Sequence, residues 1–565
     1  MDLVIRNAYI YDGSGMPGYL GEIGIRDGRI AKMGRVPEKG ATEIDAKGLA
    51  ASPGFIDPHT HYDAQLCWDG RAQPSLEHGV TTVVTGNCSL TLAPLRPEHR
   101  DKMCKMFRQI EDLPQAAFDE GIDWQWESFE GYLDALRDDL GINIAPLVGH
   151  SALRMWVMGE EASEREATAD EIGEMRELLR QCLEAGASGV STSYVDIDEK
   201  WKPVPSRMAN HDEIRALAQT MGEVGHGILQ IVPEFYDTSL MVSRVDMLAE
   251  LSLEFGIQTT LSPLFHSAMT PELAGAVLSR VEQWADRGAR VWPQVQTRPI
   301  DINFTLRERN FMLMAMPTWF EVLNTAGKEA KLAMYGDPEV RAKLVGEVAP
   351  EGNSFLHARI ANAFVRGVAL EKNQPLLGKT LAEIGEERGT TPVDAMIDLA
   401  IEENLDTEFK NANLGHSDDE VVGEMLASDY VLVGASDAGA HVQAFATNGD
   451  TGYLFSQFVR ETGSLTMAHA IKKVTLDTAL AWGLKDRGLL NPGYAADITL
   501  FDPETIARDE EFGVHDLPGN GYRYIRKATG VDTVLVNGEV VYTLADGYTE
   551  AKPGEVVTLK TPTSV

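Results

Sequence analysis

Of 565 residues, 44% are hydrophobic and 24% charged, enough to bury a large core in one large domain with an attachment or in three small ones. The 50 Lys and Arg against 86 Asp and Glu leave a formal charge of −36, which repels phosphate backbones and anionic membrane surfaces, so neither nucleic acid nor membrane is an expected partner, while self-association into a homo-oligomer is left open. Four cysteines without C-x-x-C spacing exclude a disulfide framework and a zinc knuckle, and with no signal-peptide-like or span-length apolar run the expected location is cytoplasmic.

The opening stretches "LVIRNAYIYDGSG" and "GEIGIRDGRIAKMGRV" alternate apolar and polar positions around Asp-Gly turns, which predicts short antiparallel strands. From about residue 51 to 485, compact apolar runs alternate with amphipathic helical stretches, the rhythm of parallel βα units. Eight runs qualify as strands: 51–58, 79–86, 143–150, 186–193, 227–234, 257–264, 289–296 and 430–437. Eight is the number of a closed (β/α)8 barrel. One connecting helix opens at Asn210 and closes at Gly225 with Ile214, Leu217 and Met221 on its core face, and another runs from Thr270-Pro271 to Gly288.

Roughly 300–390 breaks this rhythm, and "NFTLRERNFMLMAMPTWF" predicts a helical insertion before the last barrel strand, read either as a lid or as an extra packing layer. Towards the end, "ADITLFDP", "DTVLVNGEVVYT" and "GEVVTLK" alternate again around Asn-Gly and Pro-Gly turns. Residues 1–50 and 488–565 are therefore expected to meet in one small β-domain, with 51–487 forming the α/β barrel domain.

Chemistry concentrates at the ends of the predicted strands. In "GFIDPHTHYDAQ", His59 and His61 stand at i and i+2 and so project to one side, a spacing that lets two imidazoles chelate one ion. "VTTVVTGNCS" ends in Cys88 and "VLVGASDAGAH" carries Asp437. In a closed barrel the first, second and eighth strands are neighbours, so these four side chains can converge on one metal. Nitrogen, sulfur and carboxylate oxygen suit zinc better than calcium or magnesium. Each residue also has a bland reading, an inert core cysteine or a turn-capping aspartate among them.

The motifs "PGFIDPHTHYD", "HGVTTVVTGNCSLTLAPL", "VGHSALRMWVMG", "EAGASGVSTS", "VGASDAGAH" and "GLKDRGLLNPGYAADITLFDP" with "VLVNGEVV" resemble the amidohydrolase superfamily, and within it the N-acyl-D-amino-acid deacylase (D-aminoacylase) family, over nearly the whole chain. The resemblance implies a distorted (β/α)8 TIM barrel with a small β-sandwich domain built from both termini. It also implies that His59 and His61 are metal ligands, that Cys88 is the metal-bridging cysteine, and that Asp437 is both ligand and general base. Many relatives use a carboxylated lysine on strand four, and "GVSTS" has none, so the cysteine type of site fits. The chain departs from the family pattern at strand five, with Val232 where a histidine is usual. It departs again at strand six, where "LSPLFHS" places Pro263, Leu264 and Phe265 against a His-His-Lys run, leaving His266 as a displaced ligand candidate.

The expected chemistry is hydrolysis of a small-molecule amide, of the N-acyl-D-amino acid type, by water activated on one zinc ion, with Asp437 taking its proton and His150 in "VGHSALR" a donor to the developing oxyanion. Arg298 and the arginines at 307 and 309 are candidate partners for a substrate carboxylate. The alternatives are a lactone or cyclic amide as substrate on the same site, and a non-catalytic barrel serving as a binding or scaffold protein.

Overall fold

The computed structural model describes residues 1–559, and the expectations for 560–565 lie outside the described residues. The chain divides into two compact units.

The first unit spans 1–298, 418–441 and the chain from 446 onwards. Its barrel strands are β1 (Phe55–Asp57), β2 (Val80–Thr85), β3 (Asn143–Gly149), β4 (Gly189–Ser193), β5 (Ile228–Val232), β6 (Gln258–Leu261), β7 (Val291–Val295) and β8 (Leu432–Val433), parallel and hydrogen-bonded in chain order. The two ends of the row meet where Thr60 bridges Ala438 and the His61 N–H donates to Ala438 O at 2.7 Å. Strands such as β2 and β3 are buried at every position, which is why they read as unbroken apolar runs and not as alternations. The helix His211–Val224 is capped by Asn210, whose side chain accepts from Glu213 N–H, and ends at Gly225 in the left-handed region. The helix after β6 is Leu273–Ala285, shorter at both ends than its Thr270 and Gly288 signals.

The termini form a nine-stranded sheet, in which Ala50–Pro53 pairs in parallel with Leu3–Ile10 and antiparallel with Ile498–Phe501. Its core is Leu3, Ile5, Ile10, Ile23, Ile25, Ile498, Leu500 and Leu535. The run 51–58, expected as one strand, is two strands in two sheets. They part at Gly54, where a Cβ would stand 2.1 Å from Thr81 Oγ1, so only glycine lets the chain pass this close to β2. "GEVVTLK" also goes elsewhere: Val556 bridges Ile144 of β3, and the Val557 N–H donates to Ile144 O at 2.8 Å, so this segment pairs with the barrel.

The second unit comprises Pro299–Ser417 and Val442–Phe445. It is mostly helical around an antiparallel sheet in which Glu408–Asn411 lies between Ile302–Phe304 and Phe364–Gly367. Because that central strand comes last in sequence, the unit runs past the 390 expected from rhythm alone. Trp319, Tyr335, Leu344, Ile360 and Phe409 fill its core, and the buried Trp319 indole N–H donates to Leu344 O at 3.0 Å.

Candidate active site

At the carboxyl ends of β1, β2 and β8, four donor atoms come together. Cys88 Sγ lies 3.3 Å from His59 Nε2 and 3.7 Å from His61 Nε2. Asp437 Oδ1 lies 3.2 Å and 3.8 Å from the same two nitrogens. One ligand atom from each of His59, His61 and Cys88 falls within 4.8 Å of the others. Ligands at about 2.0–2.3 Å from a tetrahedral ion stand about 3.3–3.8 Å from one another, so the separations of Cys88 Sγ from the two histidine nitrogens are ones a zinc ion accepts. The two histidines are buried, while the Asp437 side chain keeps 23% of its exposure.

Backbone geometry sets these side chains. Cys88 and Ser89 have φ of 54° and 67°, and Ala435 and Asp437 have φ of 54° and 56°, conformations that non-glycine residues hold only when the surroundings compel them. Around Cys88, its own N–H donates to Gln230 Oε1 of β5 at 3.3 Å, and Asn87 Nδ2 donates to Thr60 O and Val84 O. Around Asp437, the Ala435 N–H donates to Gln294 Oε1 of β7. Ser436 Oγ lies 2.6 Å from Asp57 Oδ2 and 3.0 Å from His59 O, while Arg298 Nη2 donates to Ser436 O at 3.0 Å. Side-chain amides inside β5 and β7 thus hold the turns that carry the donors.

The electrostatics call for a cation. Burial, partly opposed by His61, pushes Glu111 up to about 8, and burial likewise lifts Asp63 to about 6. Burial pushes the Cys88 thiol well up, with Asp196, Glu111, Asp437 and Asp63 adding repulsion. Burial lowers His59 to about 4 against the pull of Asp437. For His61 burial works downward, yet Glu111 and Asp437 prevail and raise it to about 9. Burial would raise Asp437, but the hydrogen bond to His61 and the charges of both histidines hold it well below the usual carboxylate range. His61 Nδ1 and Glu111 Oε1 are 3.1 Å apart without an aligned hydrogen bond. Buried carboxylates and a thiol gathered around two imidazoles are costly unless a positive ion joins them, so the residues present fit a divalent metal.

Two expected residues are not brought to this cluster. His150 is fully buried, with Nδ1 at 2.9 Å from Thr192 Oγ1 and Nε2 at 2.7 Å from Glu213 Oε1. Both ring nitrogens are engaged inside the protein, so none is left to donate to an oxyanion. His266 is not among the ligand-spaced residues: β6 ends at Leu261, and the Leu264 N–H is tied to Gln294 O of β7, which turns the chain aside before His266 is reached. Arg298 is likewise spent, buried against Asp450 with Nη1 at 2.6 Å from Oδ1. Arg307 pairs with Glu308 and Asp406.

The sequence reading missed Glu111, Gln230, Gln294, and the Arg298 support of the Asp437 turn. Glu111 caps the helix Arg100–Ile110 and has no motif around it. Gln230 and Gln294 had a usable signal, being polar residues inside otherwise apolar barrel strands.

Residues 42–542 match the Amidohydrolase family. The chain is 27% identical to the D-aminoacylase of Alcaligenes xylosoxydans xylosoxydans over 550 residues, covering 96% of this chain and 94% of that protein. It is 29% identical to the N-acyl-D-aspartate deacylase of the same organism over 567 residues, covering 98% and 95%. A solved D-aminoacylase structure, described with a binuclear metal centre in which one metal activates and the second attenuates, is similar at a TM-score of 0.67 and 26% identity, with 99% of each chain covered. With a barrel, ligand-spaced donors at its strand ends and a family match across most of its length, this chain belongs to the amidohydrolase family.

Proposed function

We propose that the protein hydrolyses the amide bond of small N-acyl compounds of the N-acyl-D-amino acid type, using one zinc ion held by His59, His61 and Cys88, with a fourth position beside Asp437 open to water. The observation that carries this reading is that ligand atoms of His59, His61 and Cys88, from two neighbouring strand ends, lie within 4.8 Å of one another, with Asp437 Oδ1 at 3.2 Å from His59 Nε2. The D-aminoacylase and N-acyl-D-aspartate deacylase relatives support the bond and the stereochemistry. Four cysteines free of disulfides fit a cytoplasmic enzyme.

A bound divalent ion would supply Lewis acidity, polarising the amide carbonyl and lowering the pKa of a water to about 7. Asp437, whose side chain keeps 23% of its exposure, accepts the proton of the attacking water and returns it to the departing nitrogen. Glu111 orients His61 from behind, and Gln230 and Gln294 hold the turns of Cys88 and Asp437 in place.

The test is metal analysis of the purified chain, followed by assays on paired N-acetyl-D- and N-acetyl-L-amino acids, lactones and cyclic amides. Stoichiometric zinc and acetate release from D-substrates support the proposal. Activity on L-substrates alone overturns the stereochemistry, and activity on lactones or cyclic amides alone moves the bond. A stable metal-free protein without hydrolysis identifies a scaffold.

A further inference from the structure

On the reading that this chain hydrolyses N-acyl-D-amino acids, we infer that Arg207 holds the α-carboxylate of the substrate, through the Nε–Nη2 edge of its guanidinium, from the loop that follows β4. In such a substrate the carboxylate is bonded to the carbon that bears the amide nitrogen, so its partner has to stand next to the donors, among the loops at the carboxyl ends of the strands. Arg207 lies there, on the single helical turn Pro205–Met208. Hydrogen bonds tie that turn to the donor side: the Ser206 N–H donates to Ser151 Oγ at 3.3 Å, Ser151 Oγ lies 2.9 Å from Ser89 Oγ, and Ser89 follows the ligand Cys88. Ser206 Oγ in turn donates to Ser193 O at the end of β4.

The guanidinium is anchored on one corner only. Its Nη1 donates to Val195 O at 3.0 Å and to Asp196 O at 3.2 Å, while among the described residues no acceptor meets Nε or Nη2, and neither atom is sealed from solvent. The N–H bonds of Nε and Nη2 run parallel along one edge and match the two oxygens of a carboxylate. The acids nearby do not take that edge. Glu234, after β5, feels the charge of Arg207 but gives its two oxygens to Arg244, at 3.0 Å and 2.7 Å. Burial pushes the Asp196 carboxyl up, opposed by a hydrogen bond from Ser193 and by the charges of His61, His441 and Arg207. Its Oδ2 is buried without a partner, so the guanidinium meets Asp196 through the main chain. One carboxyl that feels both a ligating histidine and Arg207 sets this side chain beside the donors, a matter of position that a bound metal does not reverse.

The other cations of these loops are engaged or lie farther out. Arg108 pairs with Glu199, Arg154 with Glu213 and Arg298 with Asp450. Lys200 and Lys202 are exposed in the same loop as Arg207, in the turn beyond the Ile197–Pro203 bridge. His441 also acts on Asp437, but its Nδ1 stands 3.9 Å from Asp112 Oδ2, and an imidazole holds a full charge only when protonated, whereas a guanidinium always holds one. A carboxylate that loses its water on entering the site needs such a permanent charge, presented with paired donors.

The zinc-loaded full-length protein and its Arg207→Gln, Arg207→Lys and His441→Gln variants are assayed for acetate release from N-acetyl-D-phenylalanine and from N-acetyl-D-phenylalanine amide. The acid-to-amide ratio of kcat/KM within one protein does not depend on its folded fraction. In the native chain it should be about tenfold or more. Arg207→Gln, which keeps an amide donor for Val195 O and Asp196 O, should bring it near unity by raising KM for the acid about 10–100-fold with the amide little changed. Arg207→Lys should keep part of the preference, and His441→Gln should keep it whole. A native chain that cleaves the amide as fast as the acid overturns the inference and leaves the hydrolase reading standing. So does a ratio that Arg207→Gln leaves unchanged, whether both substrates slow or neither does; if His441→Gln abolishes that ratio instead, the carboxylate belongs to His441. Acetate release from neither substrate nor from any other N-acetyl-D-amino acid, with zinc bound, fails the hydrolase reading itself.

Discussion

Two buried histidine clusters lie at barrel-strand ends, one built on β1, β2 and β8 and the other on β3, β4 and the helices that follow them, and they differ in what their polar atoms still lack. Around His150, the ring is satisfied by Thr192 and Glu213, Glu213 also pairs with Arg154, and Arg154 donates onward to Ala162 O and Arg165 O. Every charge there has a counter-charge and every donor an acceptor. Around His59 and His61, the donor atoms face one another at 3.2–3.8 Å and the surrounding side chains are mostly acidic. A closed network of the first kind makes structure. An incomplete one of the second kind needs a ligand.

Removing metal should separate the clusters most sharply. Chelation should abolish hydrolysis and leave the His150 network intact, so far-ultraviolet circular dichroism should be retained while zinc restores activity. Unchanged turnover in metal-free protein would remove the metal from the chemistry. Next in size is Asp437→Asn, which keeps the shape of the side chain but not its basicity. It should lower kcat by about 10²–10⁴-fold with most of the zinc retained, as read by steady-state kinetics beside metal analysis. A mutant with full turnover would assign the proton transfer to another group.

The converse substitution falls in the satisfied cluster. Glu213→Leu leaves Arg154 buried without its carboxylate and should cost about 3–5 kcal/mol of stability in chemical denaturation. Zinc stoichiometry in the folded fraction should not change. If Glu213→Leu lost metal while stability held, the two clusters would be one.

The sequence made the donors legible because each lies at a strand end, where an apolar run stops at a residue with chemistry. His59, His61, Cys88 and Asp437 share that signature, and the eight runs that locate them coincide with β1–β8 to within a few residues. His150 carries the same signature and is misleading for that reason. Its role depends on Glu213 and Arg154, on the helices after β4 and β3, and local sequence holds no trace of that convergence. Glu111 is the opposite failure: nothing near it announces a site, and it acts only because the helix Arg100–Ile110 ends behind His61. The split at Gly54 was hidden because Ala50–Pro53 and Phe55–Asp57 are buried alike, and burial alone does not say in which sheet.

Glu111→Gln tests the smallest of these effects. The carboxylate stands 3.1 Å from His61 Nδ1, both side chains are 2% exposed, and glutamine keeps the volume while removing the charge. Losing a partner behind a ligating imidazole lowers metal affinity by about 10–100-fold. Protons oppose that loss. In the metal-free protein Glu111 helps hold His61 at about 9, so below that pH a proton competes for the nitrogen the metal needs. Without the Glu111 charge, burial lowers the His61 pKa and the competition weakens, and because Glu111 is itself pushed up to about 8, the charge that the variant lacks also fades towards pH 7. The affinity gap between native and variant proteins should therefore be widest at about pH 9 and shrink towards pH 7, as measured by zinc titration against a competing chelator. A gap that stays constant across this range would mean that Glu111 orients His61 without tuning its proton, and no gap at any pH would mean that it does neither.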